Sequence, residues 1–376
     1  MHYLDNAATT KVCPEAVLRA VTLMSENYGN PSSLHAMGKL AARELAEARA
    51  NVAAAIGAPA GAILFTSCGS EANNQALISA AFSNRRVGRH IITSAVEHPS
   101  VLETLRPLEA NEAEVTYLKP GPDGAVRIED LAAALRDDTA LISLMLVNNE
   151  TGAVNPIRAV RQLLDDRHHP ALLHTDAVQG LFKVPIDAPA LGVDYMSLSG
   201  HKIHAPKGVG ALYIRSGMRI SPLIRGGGQE HGARSGTENL ASIAAFGVAA
   251  RLGREKFSEN AARLVELRAS LEQQLATAPF PSEINFSGGV PHIISLCLPG
   301  CRSEVVLRIL SDRGVYVSAG SACAKGKRSH VLTACGLAPE KIDCTIRVSL
   351  SDLTEKSDID ALVAGLGDAY ARFHRK

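Results

Sequence analysis

The chain has 376 residues, 46% hydrophobic and 20% charged, which supports a large core, excludes disorder and suits two domains in close contact. With 39 basic against 38 acidic residues the net charge is +1, and nothing argues for a nucleic-acid or membrane surface. No apolar run approaches a membrane span, and the N-terminus lacks the charged-then-apolar form of a signal peptide, so a soluble cytoplasmic protein is expected.

Seven cysteines, Cys13, Cys68, Cys297, Cys301, Cys323, Cys335 and Cys344, are scattered along the chain and argue against a disulfide framework. Cys297 and Cys301 have no second Cys or His pair at structural zinc spacing and read as buried, inert thiols; no metal site is expected.

From about residue 60 to 214, strand-like apolar runs alternate with helix-like ones, which predicts a mainly parallel sheet covered by helices on both faces. The first strand spans 62–66 and leads through Thr66-Ser67-Cys68-Gly69-Ser70-Glu71 into a helix over 71–82. Gly69 permits close backbone approach and Ser70 can cap the helix, whose free N–H groups suit an anion such as a cofactor phosphate; an ordinary N-cap is the plain alternative. A second strand, 90–93, is closed by Glu97-His98-Pro99, where an imidazole could stack on a ring and move protons. The apolar run 140–147 ends in Asn148-Asn149-Glu150, whose amides could bond a phenolic oxygen or simply form a turn.

After a helix over 156–165, the run 171–174 ends in Thr175-Asp176-Ala177-Val178-Gln179, and the run 195–199 ends in Ser199-Gly200-His201-Lys202. An acid and an amine at neighbouring strand ends suit pyridoxal 5'-phosphate: the lysine forms a Schiff base and the carboxylate keeps the pyridine nitrogen protonated. A plain surface Asp and Lys is the competing reading. Ser199 and His201 could add donors to the same phosphate. A short strand, 208–214, is followed by a glycine-rich polar loop, 226–237, that reads as functional.

Residues 239–278 carry a helical period, and the remainder reads as α+β. Its elements are a strand at 293–298, a helix at 303–313, an extended pair at 316–317, a strand at 345–350 and a last helix from 355. Between them, Ser318 to Arg328 holds small residues, the thiol of Cys323 and the cations Lys325, Lys327 and Arg328, which favour a thiolate. The segment fails the P-loop spacing, and no G-x-S-x-G elbow is present.

Together these residues resemble the NifS/IscS-like cysteine desulfurases, within the fold-type I, class V aminotransferases. The resemblance runs nearly end to end, from Tyr3-Leu4-Asp5-Asn6-Ala7-Ala8-Thr9-Thr10 and Gly29-Asn30-Pro31-Ser32-Ser33 to Gly320-Ser321-Ala322-Cys323 and Arg347-Val348-Ser349. It implies a large cofactor-binding domain over 15–255 and a smaller α+β domain built from 1–14 and 256–376, the latter carrying the cysteine loop.

It also implies roles. Lys202 would hold the cofactor, Asp176 would pair with its ring nitrogen, and Asn149 and Gln179 would contact its phenolic oxygen. His98 would stack on the ring. Gly69, Ser70, Ser199 and His201 would hold the phosphate, and Thr237 would reach the phosphate of a partner subunit in a homodimer. Arg347, with Asn30 nearby, would bind the substrate carboxylate, a task that suits a bidentate guanidinium. L-cysteine would become L-alanine, its sulphur passing to Cys323 as a persulfide and then to an acceptor protein in iron–sulphur cluster assembly or tRNA thiolation. The alternatives are another enzyme of the same class, such as an aminotransferase or selenocysteine lyase, or a non-catalytic binding protein on the same scaffold.

The sequence departs from the family at three places. Ala324 follows the cysteine where Thr or Ser is usual. Cys68 and Ser70 stand where the phosphate turn usually has Gly and Thr. Members that dock a cluster scaffold through a longer C-terminal tail carry residues absent after Lys376.

Overall fold

The computed structural model describes residues 1–319 and 328–373; Cys323, the expected sulphur acceptor, lies outside them. The chain opens with β1 (His2–Tyr3), α1 (Pro14–Ser25) and α2 (Ala36–Ala55). It continues through β2 (Ile63–Thr66), α3 (Gly69–Ser83), β3 (His90–Ser94), α4 (Pro99–Ala110), β4 (Glu114–Leu118) and α5 (Ile128–Ala134). Then come β5 (Thr139–Ser143), α6 (Ile157–Asp166), β6 (Leu172–Asp176), α7 (Ala188–Leu191), β7 (Tyr195–Ser199) and β8 (Gly210–Ile214).

Strands β2 to β8 form one seven-stranded sheet in the order β2-β8-β7-β6-β5-β3-β4. Only β8 runs antiparallel to its neighbours in this sheet; the pairs from β7 to β4 are parallel. Successive side chains of a strand point to opposite faces, and here both faces are dry except at the edge strand β4. Leu64, Ile91, Leu141 and Tyr195 join one core with α3, whereas Ile63, Ile92, Ile142 and Met196 join another. Helices therefore cover both faces, as the unbroken apolar runs predict.

The helical stretch expected over 239–278 is two helices, α8 (Leu240–Glu255) and α9 (Phe257–Thr277), meeting at Lys256. Beyond them lie β9 (Glu283–Ile284), β10 (Ile293–Cys297), α10 (Ser303–Asp312), β11 (Val315–Tyr316) and β12 (Ser318–Ala319). The described chain closes with α11 (His330–Ala334), α12 (Pro339–Asp343), β13 (Thr345–Ser349) and α13 (Lys356–Phe373). An antiparallel four-stranded sheet, β12-β13-β10-β9, packs with α9 and α13 around its own core, which includes Leu271, Ile294, Leu296, Ile346, Val348 and Leu362.

The first ten residues join the two sheets. β1 pairs with β11, Leu4 is buried in the smaller core, Asp5 bridges to Ser349, and Ala7 is buried in the larger core.

Two local expectations are corrected. The apolar run 140–147 stops being a strand at Ser143: the N–H groups of Leu144 and Leu146 still reach the β6 carbonyls of His174 and Asp176, but the Met145 N–H turns to the Glu97 carboxyl and Asn148 folds the turn. The phosphate-turn helix starts at Gly69, so Ser70 lies inside it and Cys68 is the N-cap residue. Glu71 makes the earlier start possible by accepting the Ser67 N–H at 2.9 Å and the Ser67 hydroxyl at 2.5 Å.

Candidate active site

The parallel strands end along one edge of the large sheet, which is where open α/β sheets place their sites. β6 ends on Asp176, and its neighbour β7 ends on Ser199, from which one 3-10 turn, Gly200–Lys202, delivers the lysine. The Lys202 Nζ donates at 2.7 Å to the carbonyls of both Ala7 and Ala8. Gln179 Nε2 donates to the same Ala7 carbonyl at 2.8 Å. Burial, and next the like charge of Arg347, lower the Lys202 pKa to about 8, although Asp176 and Asp5 oppose this. An amine so placed gives up its proton near neutral pH, as a nucleophilic lysine must.

Asp176 is buried and fully engaged. Its Oδ2 accepts from Asn73 Nδ2 at 2.7 Å and its Oδ1 from the Val178 N–H at 2.9 Å. Asn73, on α3, also donates to Ser100 Oγ at 2.9 Å. Ser100 in turn meets His98 Nδ1 with both its hydroxyl, at 2.8 Å, and its N–H, at 3.1 Å. Because Nδ1 accepts these bonds, the neutral ring carries its proton on Nε2. Burial lowers the His98 pKa; Asp176 opposes that, and Lys202 and His330 add to it. The imidazole is therefore neutral at neutral pH.

Arg347 arrives from the other sheet, on β13. Its Nη2 donates to Asp5 Oδ1 at 2.9 Å and its Nη1 to the Asn149 carbonyl at 3.0 Å, while the buried Nε has no partner among the described residues. The guanidinium is thus held from both sides of the cleft.

The turn after β2 needs its glycine: a Cβ on Gly69 would lie 2.8 Å from Val178 Cγ2 and 3.4 Å from Ser199 Cβ. Cys68 supplies no side-chain cap, so N–H groups of the first turn of α3 stay open to an anion. Ser199 is buried beside this turn. His201 meets Thr9 Oγ1 at 3.2 Å, and burial followed by Lys202 and Lys207 lowers its pKa to about 4. Exposed Thr237 shares a cavity of about 230 Å³ with Thr66 and Ser67.

The structure brings Asp176, Lys202, His98, Gln179, Asn149 and Arg347 to one cleft. Asn30 makes no hydrogen bond to Arg347 among the described residues; its side chain accepts from the Ser32 N–H at 2.9 Å in an exposed turn. Cys297 and Cys335 are poor nucleophiles: burial pushes their thiols up to about 11 and about 12.

Sequence reading missed several contributors. Asn73, Ser100 and Asp5 are anchors visible only in three dimensions. Glu97 was noted only as a neighbour of His98. Its Oε1 accepts from Ser94 Oγ at 2.7 Å and from the Met145 N–H at 2.9 Å, its Oε2 is buried without a partner among the described residues, and its carbonyl accepts from His330 Nε2 at 3.0 Å. Ser329 Oγ donates to Glu150 Oε2 at 2.5 Å.

Burial raises the Glu97 pKa from 4.5 to about 8. The folded protein therefore keeps this proton up to about pH 8, whereas an unfolded glutamate loses it near 4.5, so stability falls as pH rises between those values. Glu97→Gln keeps the acceptor oxygen and cannot ionise. The variant matches the wild type near pH 4.5 and becomes more stable than it by on the order of 1–3 kcal/mol above pH 8. Chemical unfolding across this range tests it; parallel curves for the two proteins would rule out a neutral buried Glu97.

A desolvated amine, a buried carboxylate next to it, a neutral imidazole and an uncapped helix N-terminus fit pyridoxal 5'-phosphate. Fold and donor set together define a fold-type I enzyme that uses this cofactor. The class-V aminotransferase profile matches residues 2–362. Cysteine desulfurase IscS of Methanosarcina thermophila is 41% identical over 367 residues, covering 96% of this chain and 90% of that protein. A solved NifS-like protein superposes with a TM-score of 0.92 at 36% identity, covering 97% of this chain and 98% of the other. A NifS-like protein from Rickettsia africae gives 0.87 at 32% identity, with 98% and 99% covered. The chain belongs to the class-V aminotransferase family, in its NifS/IscS-like cysteine desulfurase branch.

Proposed function

We propose that the chain converts L-cysteine to L-alanine and passes the sulphur to Cys323. The observation that carries this is the meeting of Lys202, Asp176 and Arg347 at one cleft, with the amine desolvated and the guanidinium held across from it.

Pyridoxal 5'-phosphate, when bound, supplies an electron sink for the substrate α-carbon. Lys202 would hold it covalently, and its amine, once released, would take the α-proton and return a proton to the product. Asp176, fixed by Asn73 and Val178, would hold a proton at the ring nitrogen. Asn149 and Gln179 would face the phenolic oxygen, His98 would lie against the ring, and Gly69, Ser70, Ser199 and His201 would hold the phosphate. Arg347 would bind the substrate carboxylate, with Asn30 as its proposed helper. The Cys323 thiolate would attack the substrate sulphur: an S–S bond forms, the substrate C–S bond breaks, and its electron pair stays with the organic product, which leaves as alanine.

Homodimerisation belongs to the same reading. α1 turns Leu18, Val21 and Met24 to solvent, opposite the face it packs on α8, and a second copy would cover them. Thr237 would then reach the partner's cofactor phosphate. A division into 15–255 against 1–14 with 256–376 is supported by the two separate cores. No helix among the described residues is long and apolar enough to cross a membrane. We place the enzyme in the cytoplasm, delivering sulphur to a protein of iron–sulphur cluster assembly or tRNA thiolation.

The test is alanine release from L-cysteine with reductant, wild type beside Cys323→Ala, both loaded with cofactor. Wild type forms alanine, and the variant loses at least about 10²-fold. Equal rates would remove Cys323 from the reaction and move an aminotransferase-type or lyase activity ahead.

A further inference from the structure

A cavity of about 290 Å³, not lined by Lys202, Asp176 or Arg347, opens between the start of α1, the α8–α9 junction and the loop after β13. Val12, Phe182, Ile203 and Leu252 give it an apolar wall. Three ammonium groups line it as well, those of Lys11, Lys183 and Lys256, against the carboxylates of Glu15 and Asp352. Asp352 is already engaged: His204 Nε2 lies 2.8 Å from its Oδ1, and Asn260 Nδ2 donates to its Oδ2 at 3.4 Å.

Lys183 therefore stands out. It is half-buried, and among the described residues its ammonium has no hydrogen bond and no ion pair. Desolvation lowers its pKa, and Asp352 opposes this. His292, buried near Lys183, is neutral or cationic and cannot be its counter-charge; burial and the charges of Lys183 and Arg268 keep it neutral, and neither ring nitrogen has a partner among the described residues. A desolvated ammonium with no hydrogen-bonded partner, beside the apolar wall of a cavity, is a costly arrangement unless an anion completes it.

We infer that this cavity binds a small organic anion, a monocarboxylate with an apolar body, whose carboxylate pairs with Lys183 and whose body lies on Phe182 and Leu252. The size suits such a ligand. The position gives it leverage: Ile203 and His204 directly follow Lys202, and Asp352 follows the strand that carries Arg347. An occupant thus touches the supports of both halves of the catalytic cleft. The inference stands apart from the reaction assigned to that cleft.

The probe is 4-phenylbutyrate, with its neutral amide as control, titrated calorimetrically into the cofactor-loaded enzyme. Cys13 lines the cavity and gives a local readout, because an occupant shields its thiol from N-ethylmaleimide, mapped by peptide mass spectrometry at about pH 9. We expect the acid to bind at least about tenfold more tightly than the amide, Lys183→Met to weaken it about tenfold or more, and Leu252→Trp to block it. We expect Cys13 modification to slow severalfold in the wild type and not in Lys183→Met. Equal binding of acid and amide, unchanged Cys13 labelling, or binding lost in Arg347→Ala but kept in Lys183→Met would overturn the proposal. The last outcome would place the anion in the substrate site.

Discussion

Lys202→Ala forms alanine from L-cysteine at least ~10³-fold more slowly than the wild type, the range lost when a positioned acid–base group is removed. Among the described residues, no other amine stands at the meeting of β6 and β7. The Nζ is fixed by two carbonyls, 2.7 Å from each, and stripped of enough water to bring its pKa to about 8. Lys202→Arg is no better, because a guanidinium stays protonated at any working pH and cannot act as nucleophile or base. Alanine is quantified with excess cofactor present, and far-ultraviolet circular dichroism establishes that the variants remain folded. Turnover within tenfold of the wild type in either variant would remove Lys202 from the chemistry.

Asp176→Asn lowers kcat by about 10²–10³-fold with little loss of stability, the scale of removing one preorganised electrostatic group. The geometry makes this a clean exchange of charge. The retained oxygen still accepts the Val178 N–H. The new amide would face the amide of Asn73, but Asn73 Oδ1 has no partner among the described residues, so a flip of Asn73 presents an acceptor instead. Ser100 Oγ, then facing the Asn73 oxygen, can turn its one proton to it, leaving His98 Nδ1 to the Ser100 N–H. Thermal unfolding and steady-state kinetics measured together separate the two effects. A large fall in stability with kcat unchanged would make Asp176 a structural anchor only.

Much of the large sheet was legible because its strands, the edge strand β4 apart, are dry on both faces. Ile63–Thr66 and His90–Ser94 are buried throughout, and such runs stand out from the polar turns that bound them. The same property misled at 144–147, where the chain stays buried beneath the cleft after it stops pairing as a strand. The strand-end residues Asp176, Lys202 and His98 could be read because each directly follows an apolar run. Asn73 could not: an asparagine inside a helix looks the same whether it faces water or a carboxylate. Asp5 lay in a recognised stretch, yet its partner Arg347 is distant in sequence, and only the fold joins them. Ser70 was read as a cap because Ser favours that position; Glu71 reaching back to Ser67 moved the helix start ahead of it.

The first ten residues carry a consequence for how the enzyme is made. They are synthesised long before their partners, yet Leu4 packs among Val315, Ile346 and Val348, the Asn6 side chain donates to the Ser349 carbonyl at 3.0 Å, and Ala7 and Ala8 cap the Lys202 amine. Ser349 on β13 follows Asn6 by 343 residues, so this segment stays undocked until that strand has been made. Closing so long a loop is slow and comes late in folding. The cofactor cleft is therefore completed only after β13 has emerged, and a nascent chain stalled before Arg347 holds its lysine without the carbonyl clamp that steadies it.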